Sequence, residues 1–475
     1  MNNPPLFKSQ IIDKYVPSKD ITKALVGTYL DTIEGVNRLF HIPTFELELK
    51  HYWENPTSAR YDWLAQLLTV LALGTRVMEE RIRQRLVAVT LPYPVERYLR
   101  GASKCLAHLS YPFHASLETV RTLCLMATAK KASLFSCHER DACGPLLETA
   151  LSMCLMLGLD KRMYDGTSAR RTWIGVFMET RVWTTVRYMY LHHVLHTGVA
   201  THFPSSAMEP CMLANVNDCD VDATLAPNER NHSAKEWTDS SAELLLSRSL
   251  SLAFTLVSLA NHPTTTCPEG VDLISADALI RTLLRKTDKI YFEIDCTWKR
   301  LQRCMLIVFF RRFLITIYHL DSPRITQRSL LQTSATSNFS RLATTECAIS
   351  ILVQQRSMLE DPVLSDAGGR VVAELFKEDF LFASLVIGSE WTRNANVSSS
   401  LARRGDPSKT VHGPKTPFAG RTVLHGLYWC RELWAQDMER SICNFAAYSM
   451  LGRLLDILGG DCPRGGRRGN SSPQR

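Results

Sequence analysis

Four histidines lie close together in the sequence, and imidazole nitrogens are common metal ligands. They are His192, His193, His196 and His202. His192 and His196 are four residues apart, so a helix would place both side chains on one face, a spacing that helical metal sites use. No glutamate lies between them and no third ligand stands out, whereas a metal site needs a complete, oriented ligand set. We therefore predict no metal or other cofactor, and interpret these residues as polar side chains at a helix end, where protonated histidine suits the helix dipole.

Three alternating aspartates, Asp218, Asp220 and Asp222, form a second group that could do chemistry. Clustered carboxylates bind magnesium in helical enzymes that act on prenyl diphosphates. Those enzymes carry Asp-Asp-x-x-Asp on one helix and a second ligand set on another, whereas these acids alternate as on an extended segment. We interpret them as a solvated loop with Val221 pointing inward. An all-α, metal-dependent enzyme acting on an apolar substrate such as a prenyl diphosphate is the alternative function.

Motifs for nucleophilic and phosphate chemistry are incomplete. The sequence contains no Gly-x-Ser-x-Gly nucleophile elbow. Residues 405–410 resemble a phosphate-binding loop but lack its first glycine at the required distance. We therefore assign no catalytic residue and predict a protein that is not an enzyme.

A helix that precedes these groups is predicted from Gly144-Pro145 to Gly158. Proline fits the first helical turn because its missing N–H needs no partner there. Apolar residues then recur every three or four positions, which is the helical period. Gly158 is expected to end the helix, since glycine adopts the left-handed conformation without a Cβ clash.

A second, longer helix is predicted over about residues 170–196, ending at Gly198. It is apolar around most of its circumference, which indicates burial on several sides. The aromatic residues Trp173, Phe177 and Trp183 could line a pocket for a small effector, although packing in a core is the commoner role of such a stripe.

Short motifs follow one another along these two helices and the segment after them. The residues that carry them are Leu157, Gly158, Leu159, Glu179, Arg181, Trp183, Gly198, Asp218, Cys219, Asp220 and Val221. In this order and spacing they resemble the regulatory, or middle homology, region of fungal zinc-cluster transcription factors. That family carries Leu-Gly-Leu, Glu-x-Arg-x-Trp-Trp, Gly-Arg-Pro and Asp-x-Asp-Val. This sequence departs from the pattern at Thr184, at Tyr190 and at residues 198–200.

A further match lies near the amino terminus, after a helix predicted over residues 21–40. The segment from His41 through Pro43 to Phe45 resembles the family's His-x-Pro-Thr-Phe motif. Because proline disfavours helix at the residue before it, we predict that Pro43 ends the first helix and that Thr44 caps the next segment. The resemblance spans roughly residues 21–260.

The resemblance implies a transcriptional regulator that works in the nucleus on a metabolic or secondary-metabolite gene set. The family reads DNA through a module that begins Cys-x2-Cys-x6-Cys, whereas the first of the 14 cysteines here is Cys105 and no two are separated by only two residues. We therefore expect no sequence-specific DNA contact from this chain; either the module was lost or the sequence begins downstream of it. The implied partners are the transcription machinery or a zinc-cluster protein, a small effector, and a second copy in a homodimer.

Composition indicates an ordinary globular protein. Of the 475 residues, 45% are hydrophobic and 21% charged. The most apolar stretch, residues 304–320, carries Arg311 and Arg312 at its centre, so we expect no membrane-spanning helix. The net charge of +8 is spread along the chain apart from a Gly- and Arg-rich tail, which favours disorder there rather than specific nucleic-acid binding. Scattered cysteines without a secretory signal indicate free thiols.

The helical periodicity predicts an all-α fold of stacked antiparallel helices in a superhelical array with long loops. Breaks in the pattern predict the domain boundaries. They give an N-terminal arm at residues 1–20, a helical regulatory domain at 21–321, a linker at 322–339, a C-terminal helical region packed on the same body at 340–458, and a disordered basic tail at 459–475.

Overall fold

A computed structural model describes most of the chain. The described residues are 7–84, 90–109, 115–132, 143–160, 172–199, 213–221, 231–261, 272–292, 296–327, 333–403, 418–435, 438 and 442–457. Their regular structure is helical and no strand occurs in these ranges, which confirms the all-α prediction. The superhelical arrangement stays a prediction, and the tail at 459–475 lies outside the described residues.

The longer helices are numbered here in chain order. They are α1 Lys8–Tyr15, α2 Lys19–Tyr29, α3 Ile42–Glu54, α4 Tyr61–Arg83, α5 Val95–Ala107, α6 Leu117–Ala132, α7 Cys143–Met156, α8 Trp173–Thr197, α9 Ser241–Asn261, α10 Leu273–Ile290, α11 Thr297–Gln327, α12 Thr333–Glu360, α13 Lys377–Arg403, α14 Phe418–Ala435 and α15 Ile442–Ile457. Shorter helical turns are Leu30–Glu34, Pro56–Ser58, Asp218–Asp220, Pro362–Leu364, Ser365–Gly369 and Arg370–Glu374.

Helices that are neighbours in sequence mostly pack against each other around one apolar core. Helix α4 packs on α5 and α6, α7 packs on α6 and α8, and α8 packs on α9. In the second half, α12 packs on α11 and α13, and α14 packs on α15. A single cluster of buried apolar side chains runs from Ile11 in α1 to Leu455 in α15. Because burial of apolar surface is the main driving force of folding, both ends of the described chain stabilise the same body.

The N-terminal segment differs from the predicted arm. Residues 8–15 form α1, and its Ile11 and Tyr15 are buried in the core. Two apolar side chains spaced four apart lie on one face of a helix, which is enough to dock this short helix. The described part of the predicted arm therefore contains a packed helix, and its boundary at residue 20 stays a prediction.

The predicted linker at residues 322–339 is mostly helical. Helix α11 continues to Gln327 and α12 begins at Thr333, so only residues 328–332 separate them, and these lie outside the described residues. Serine and threonine are only mildly unfavourable in helices, so a Ser/Thr-rich stretch does not by itself end one. The linker bounds at residues 322 and 339 stay a prediction.

The link between α2 and α3 also differs from the prediction. The helix predicted over 21–40 is α-helical to Tyr29, continues through a π-helical turn and stays helical to Val36. Pro43 lies in the first turn of α3, where proline is well tolerated, so it opens the second helix instead of only ending the first. His41 occupies the N-cap position of α3, and the prediction of Thr44 as the cap is wrong.

Two glycines end helices as predicted. Gly158, just after α7, has φ of 68°, and Gly198, the C-cap of α8, has φ of 69°. Both values lie in the left-handed region, where a Cβ would clash with the following carbonyl group. These caps fix where α7 and α8 stop.

One described helix, α9, is long and apolar enough to cross a membrane by length and composition, contrary to the sequence-based expectation that none would be. Within the protein, 67% of its apolar window is buried. It packs against α8, α10 and α11. This environment is that of a core helix.

Candidate functional site

A buried glutamate holds the segment that joins α2 to α3. Oε1 of Glu34 accepts hydrogen bonds from the backbone N–H groups of Leu39 at 2.8 Å and Phe40 at 2.7 Å. The hydroxyl of Tyr29 donates to Oε2 at 2.5 Å. Burial raises the pKa of Glu34, and these donors partly oppose the rise. The bonds hold the backbone of Leu39 and Phe40 in place.

Arg181, near the middle of α8, binds the backbone carbonyl group of Phe40. Its Nη1 donates to the Phe40 oxygen at 2.7 Å, and its Nη2 donates to Oδ1 of Asp218 at 2.8 Å. Only 1% of the arginine side chain is exposed. A buried charge is tolerated when it is both paired and hydrogen-bonded, and Arg181 meets both conditions.

Asp218 is held from the other side as well. Nη1 of Arg38 lies 3.3 Å from its Oδ2, and the backbone N–H of Ile42 donates to the same oxygen at 3.1 Å. Burial alone would raise the pKa of Asp218, but Arg181 and Arg38 outweigh burial and hold that pKa below its usual range. The carboxylate therefore stays charged at neutral pH.

His41 completes the arrangement. Its Nε2 lies 2.7 Å from the backbone carbonyl oxygen of Asp218, and its Nδ1 lies 2.7 Å from the hydroxyl of Thr44. A carbonyl oxygen only accepts, so Nε2 carries a proton and donates it to this bond. We call Arg38, His41, Arg181 and Asp218 the motif clamp. It joins the α2–α3 link, α8 and the 218–220 turn, three segments far apart in sequence.

The predicted solvated loop of alternating aspartates is wrong. The segment is a 3₁₀ turn and Asp218 is only 4% exposed, although Val221 is buried as expected. Asp220 pairs with Nε2 of His232 at 2.9 Å, while Asp222 lies outside the described residues. A magnesium site built from these acids would first have to displace the arginines and the histidine.

The other aromatic motif residues are buried and packed. Trp183 is 2% exposed, and the guanidinium carbon of Arg187 lies 5.0 Å from the centre of its ring. Phe45 is also buried and packs on Phe40 with ring centres 4.7 Å apart. Glu179 lies half-buried on α8. These placements agree with a packing role for the motif.

The aromatic residues expected to line an effector pocket separate in the structure. Trp173 and Phe177 pack together with ring centres 5.9 Å apart. Phe177 belongs to a small apolar cluster with Val216 and Val221, whereas Trp183 lies in the main core. An effector pocket at these three residues stays a prediction.

A cavity of about 70 Å³, partly open to solvent, lies elsewhere between the helices. Its lining residues are Val36, Asn37, Ala127, Thr128, Lys131, Cys143, Leu147, Tyr188, Met189, His192, His193, Met305, Leu375 and Phe376. Most of this surface is apolar, with one ammonium group at Lys131 and two imidazoles. A cavity with mostly apolar walls and few polar groups is the usual form of a small-molecule site.

At the edge of the cavity, Asp379 meets two of the clustered histidines. Its Oδ2 lies 2.8 Å from Nε2 of His192 and 3.2 Å from Nε2 of His196, and the two nitrogens are 3.1 Å apart. Burial and nearby Lys131 lower the pKa of His192 to about 4, so its bond to Asp379 comes from a neutral ring. The interpretation of His192 and His196 as protonated helix-end residues is therefore wrong for His192.

Sequence reasoning missed Asp379 because it lies 187 residues from His192. It belongs to the first turn of α13, and nothing in its local pattern marks it as a partner of α8. His193 lines the cavity instead, and His202 lies outside the described residues.

No protein-family model matches the chain. Curated fungal transcription factors match about half of it. Transcription factor opdR of Penicillium oxalicum is 26% identical over 250 residues, covering 52% of this chain and 30% of the relative. Transcription factor lepE of Aspergillus flavus is 24% identical over 255 residues, which cover 53% of this chain and 29% of the relative. The fusarisetin A cluster transcription factor fsa6 of a Fusarium species is 24% identical over 235 residues, which cover 46% of this chain and 29% of the relative.

The chain therefore spans about 30% of the length of the curated relatives it matches. The all-helical fold and these similarities are consistent with the regulatory region of a fungal zinc-cluster transcription factor. Because the relatives are named as transcription factors, they support a transcriptional regulator.

Proposed function

We propose that this chain is the regulatory body of a zinc-cluster-type transcription factor and that it acts in the nucleus. The observation that carries the proposal is the motif clamp: His41, Arg181 and Asp218 come from three separate motifs of the resemblance and meet in one buried network. Such a network positions three segments relative to each other, so the motifs act together as one structural unit. The similarity to named transcription factors supports the same function.

The body is proposed to respond to a small effector in the cavity. Lys131 of α6, Leu147 of α7, Tyr188 of α8 and Met305 of α11 all line it, so one ligand would contact four helices at once. A ligand that binds one arrangement of these helices more tightly shifts the population toward it. The effector is expected to have an apolar body, since the walls are mostly apolar.

The regulated genes are proposed to be a metabolic or secondary-metabolite set, because similar relatives are named for the fusarisetin A and equisetin clusters. Output is proposed to pass through the transcription machinery or a zinc-cluster partner protein, with a homodimer as one form of the regulator. The chain itself is expected to make no sequence-specific DNA contact and to catalyse no reaction.

Tethering tests this function. The full chain is fused to a heterologous DNA-binding domain in a fungal host that carries a matching reporter promoter. We expect reporter transcription to rise or fall at least several-fold relative to the DNA-binding domain alone. The matched control is a fusion with Gly27→Ala, which meets no neighbouring atom within 4 Å and should behave like the native chain.

A soluble, nuclear fusion that leaves the reporter unchanged, with or without extracts of the producing culture, would contradict the proposal. The enzyme alternative predicts something different: magnesium-dependent turnover of prenyl diphosphates by the purified chain. That turnover would have to disappear in the double variant Asp218→Ala with Asp220→Ala.

A further inference from the structure

Three potential metal ligands from two distant helices converge beside the cavity, outside the motif clamp. Nε2 of His192, Nε2 of His196 and Oδ2 of Asp379 form a triangle with sides of 2.8, 3.1 and 3.2 Å. His192 and Asp379 are buried and His196 is half-buried. Oδ1 of Asp379 is also buried and has no hydrogen-bond partner among the described residues, so this carboxylate is incompletely satisfied.

We propose that His192, His196 and Asp379 bind one divalent first-row transition-metal ion, with zinc as the best-fitting candidate. Ligands about 2.0–2.1 Å from a tetrahedral zinc ion are roughly 3.3 Å apart, close to the three separations found here. Two imidazoles and one carboxylate form a ligand set that binds zinc or iron(II) and leaves further positions for water or another small ligand. Helix α8 supplies the two histidines at positions i and i+4. Helix α13 supplies the third ligand, Asp379, which the sequence pattern did not reveal.

The hydrogen bonds of the ion-free protein show what binding must change. Nζ of Lys131 lies 2.9 Å from Nδ1 of His192. A charged lysine can only donate, so in this state Nδ1 accepts and the ring proton resides on Nε2, facing Asp379. An ion bound at Nε2 requires that proton to leave Nε2 and Nδ1 to be protonated. The side chain of Lys131 must then move away from His192. It can pair more closely with the carboxylate of Glu378, which already lies 4.0 Å from its Nζ.

Charge sets the strength of the site. Besides Lys131, the guanidinium of Arg312 lies near the triad, with Nε 3.9 Å from Oδ1 of Asp379. Two neighbouring cations oppose a divalent ion, so the native site should be weaker than a site without them. Removing the lysine charge should therefore strengthen binding, whereas removing a ligand should abolish it. If the His–Asp cluster had only a structural role, neither change would affect metal binding.

The test uses the purified full chain, stripped of metal with a chelator and titrated with zinc, and separately with cobalt(II) as a spectroscopic probe. We expect one ion per chain in calorimetry and a visible cobalt spectrum of nitrogen and oxygen ligation without a thiolate charge-transfer band. A thiolate band would reveal cobalt bound to cysteine instead, which has to be distinguished because the chain has 14 cysteines, including the exposed Cys219. His196→Ala and Asp379→Asn should each weaken binding at least a hundredfold.

Lys131→Gln should tighten binding at least about tenfold, because it removes a cation a few ångströms from the ion and its amide oxygen can accept from Nδ1–H. His193→Ala, on the same helix but outside the triangle, is the matched control and should bind like the native chain. His196→Ala changes a half-buried residue, so it keeps the test meaningful if Asp379→Asn fails to fold. No stoichiometric ion, or an ion that persists in His196→Ala with a thiolate spectrum, would overturn the proposal.

Discussion

Arg181 and Asp218 form a buried ion pair, with Nη2 2.8 Å from Oδ1, between the middle of a 25-residue helix and a three-residue turn. The charged partners found for these residues lie far apart in sequence: Arg181 and Asp218 are separated by 37 residues, and Arg38, the second arginine on Asp218, is 180 residues away from it. Because a buried charge without a partner is strongly destabilising, each member depends on the others being in place. The pair therefore couples the 218–220 turn to α8, and Arg38 extends this coupling to the amino-terminal segment.

The first prediction concerns Glu243 in the first turn of α9. It is 4% exposed, and its Oε2 has no hydrogen-bond partner among the described residues. Burial raises its pKa from 4.5 to about 7, although Arg181 and Arg38 oppose the rise. The folded state thus binds this proton more tightly than the unfolded state, so the stabilisation is complete below about pH 4.5 and is lost as the pH rises through about 7.

Glu243→Gln removes that titration. We expect the variant to show a flatter dependence of melting temperature on pH between 4.5 and 7, and a higher melting temperature than the native chain at pH 8. Glu148→Gln, at an exposed position on α7, is the control and should follow the native curve. Identical pH slopes for native chain and Glu243→Gln would show that this carboxyl group does not drive the effect.

The second prediction tests the close contact between α2 and α4. A Cβ at Gly74 would lie 2.2 Å from the backbone oxygen of Leu25, so Gly74→Ala must push two core helices apart. We expect a loss of about 2–3 kcal/mol in the free energy of unfolding, measured by urea denaturation. Gly27→Ala in α2 meets nothing within 4 Å and should instead stabilise by about 0.5–1 kcal/mol. Equal effects of the two variants would argue against this helix contact.

The third prediction concerns DNA. A chain with net charge +8 should bind phosphates weakly and without sequence preference, because spread basic charge neutralises phosphates but reads no base. In a gel-shift assay at physiological salt we expect no discrete complex at nanomolar protein, and only salt-sensitive retardation at much higher concentration. A nanomolar complex that distinguishes one DNA sequence from a scrambled one would contradict the assignment of this chain as a regulatory body.

Local signals predicted helices α7 and α8 and their carboxyl-terminal ends. Periodic apolar residues identified α7 and α8. Gly158 and Gly198 end them in the left-handed conformation, which depends on the local steric freedom of glycine. Pairings at long range were not predictable in this way. Asp218 was taken for a solvated residue because nothing near it in sequence is its partner, and the aspartate that joins His192 lies in α13. Whether an acidic residue is buried depends on distant cations, which a single sequence does not reveal.

The motif clamp also shows which part of the resemblance has a physical basis. His41, Arg181 and Asp218 had been matched to a family pattern by spacing, and the structure connects them by hydrogen bonds of 2.7 and 2.8 Å. The residues that depart from the pattern include Thr184 and Tyr190, which are both buried, so these departures lie within the packed part of α8 and not on its surface.

The most direct measurement is a double-mutant cycle on Arg181→Met and Asp218→Asn, read from urea denaturation of the full chain. Each single variant should cost about 3–5 kcal/mol, since each leaves a buried polar partner uncompensated. The double variant should cost clearly less than their sum, with a coupling of at least about 2 kcal/mol. The same cycle on the exposed pair Arg303 and Asp288 should give about 0–1 kcal/mol. Additive effects at Arg181 and Asp218 would contradict a clamp that holds the three motif segments together.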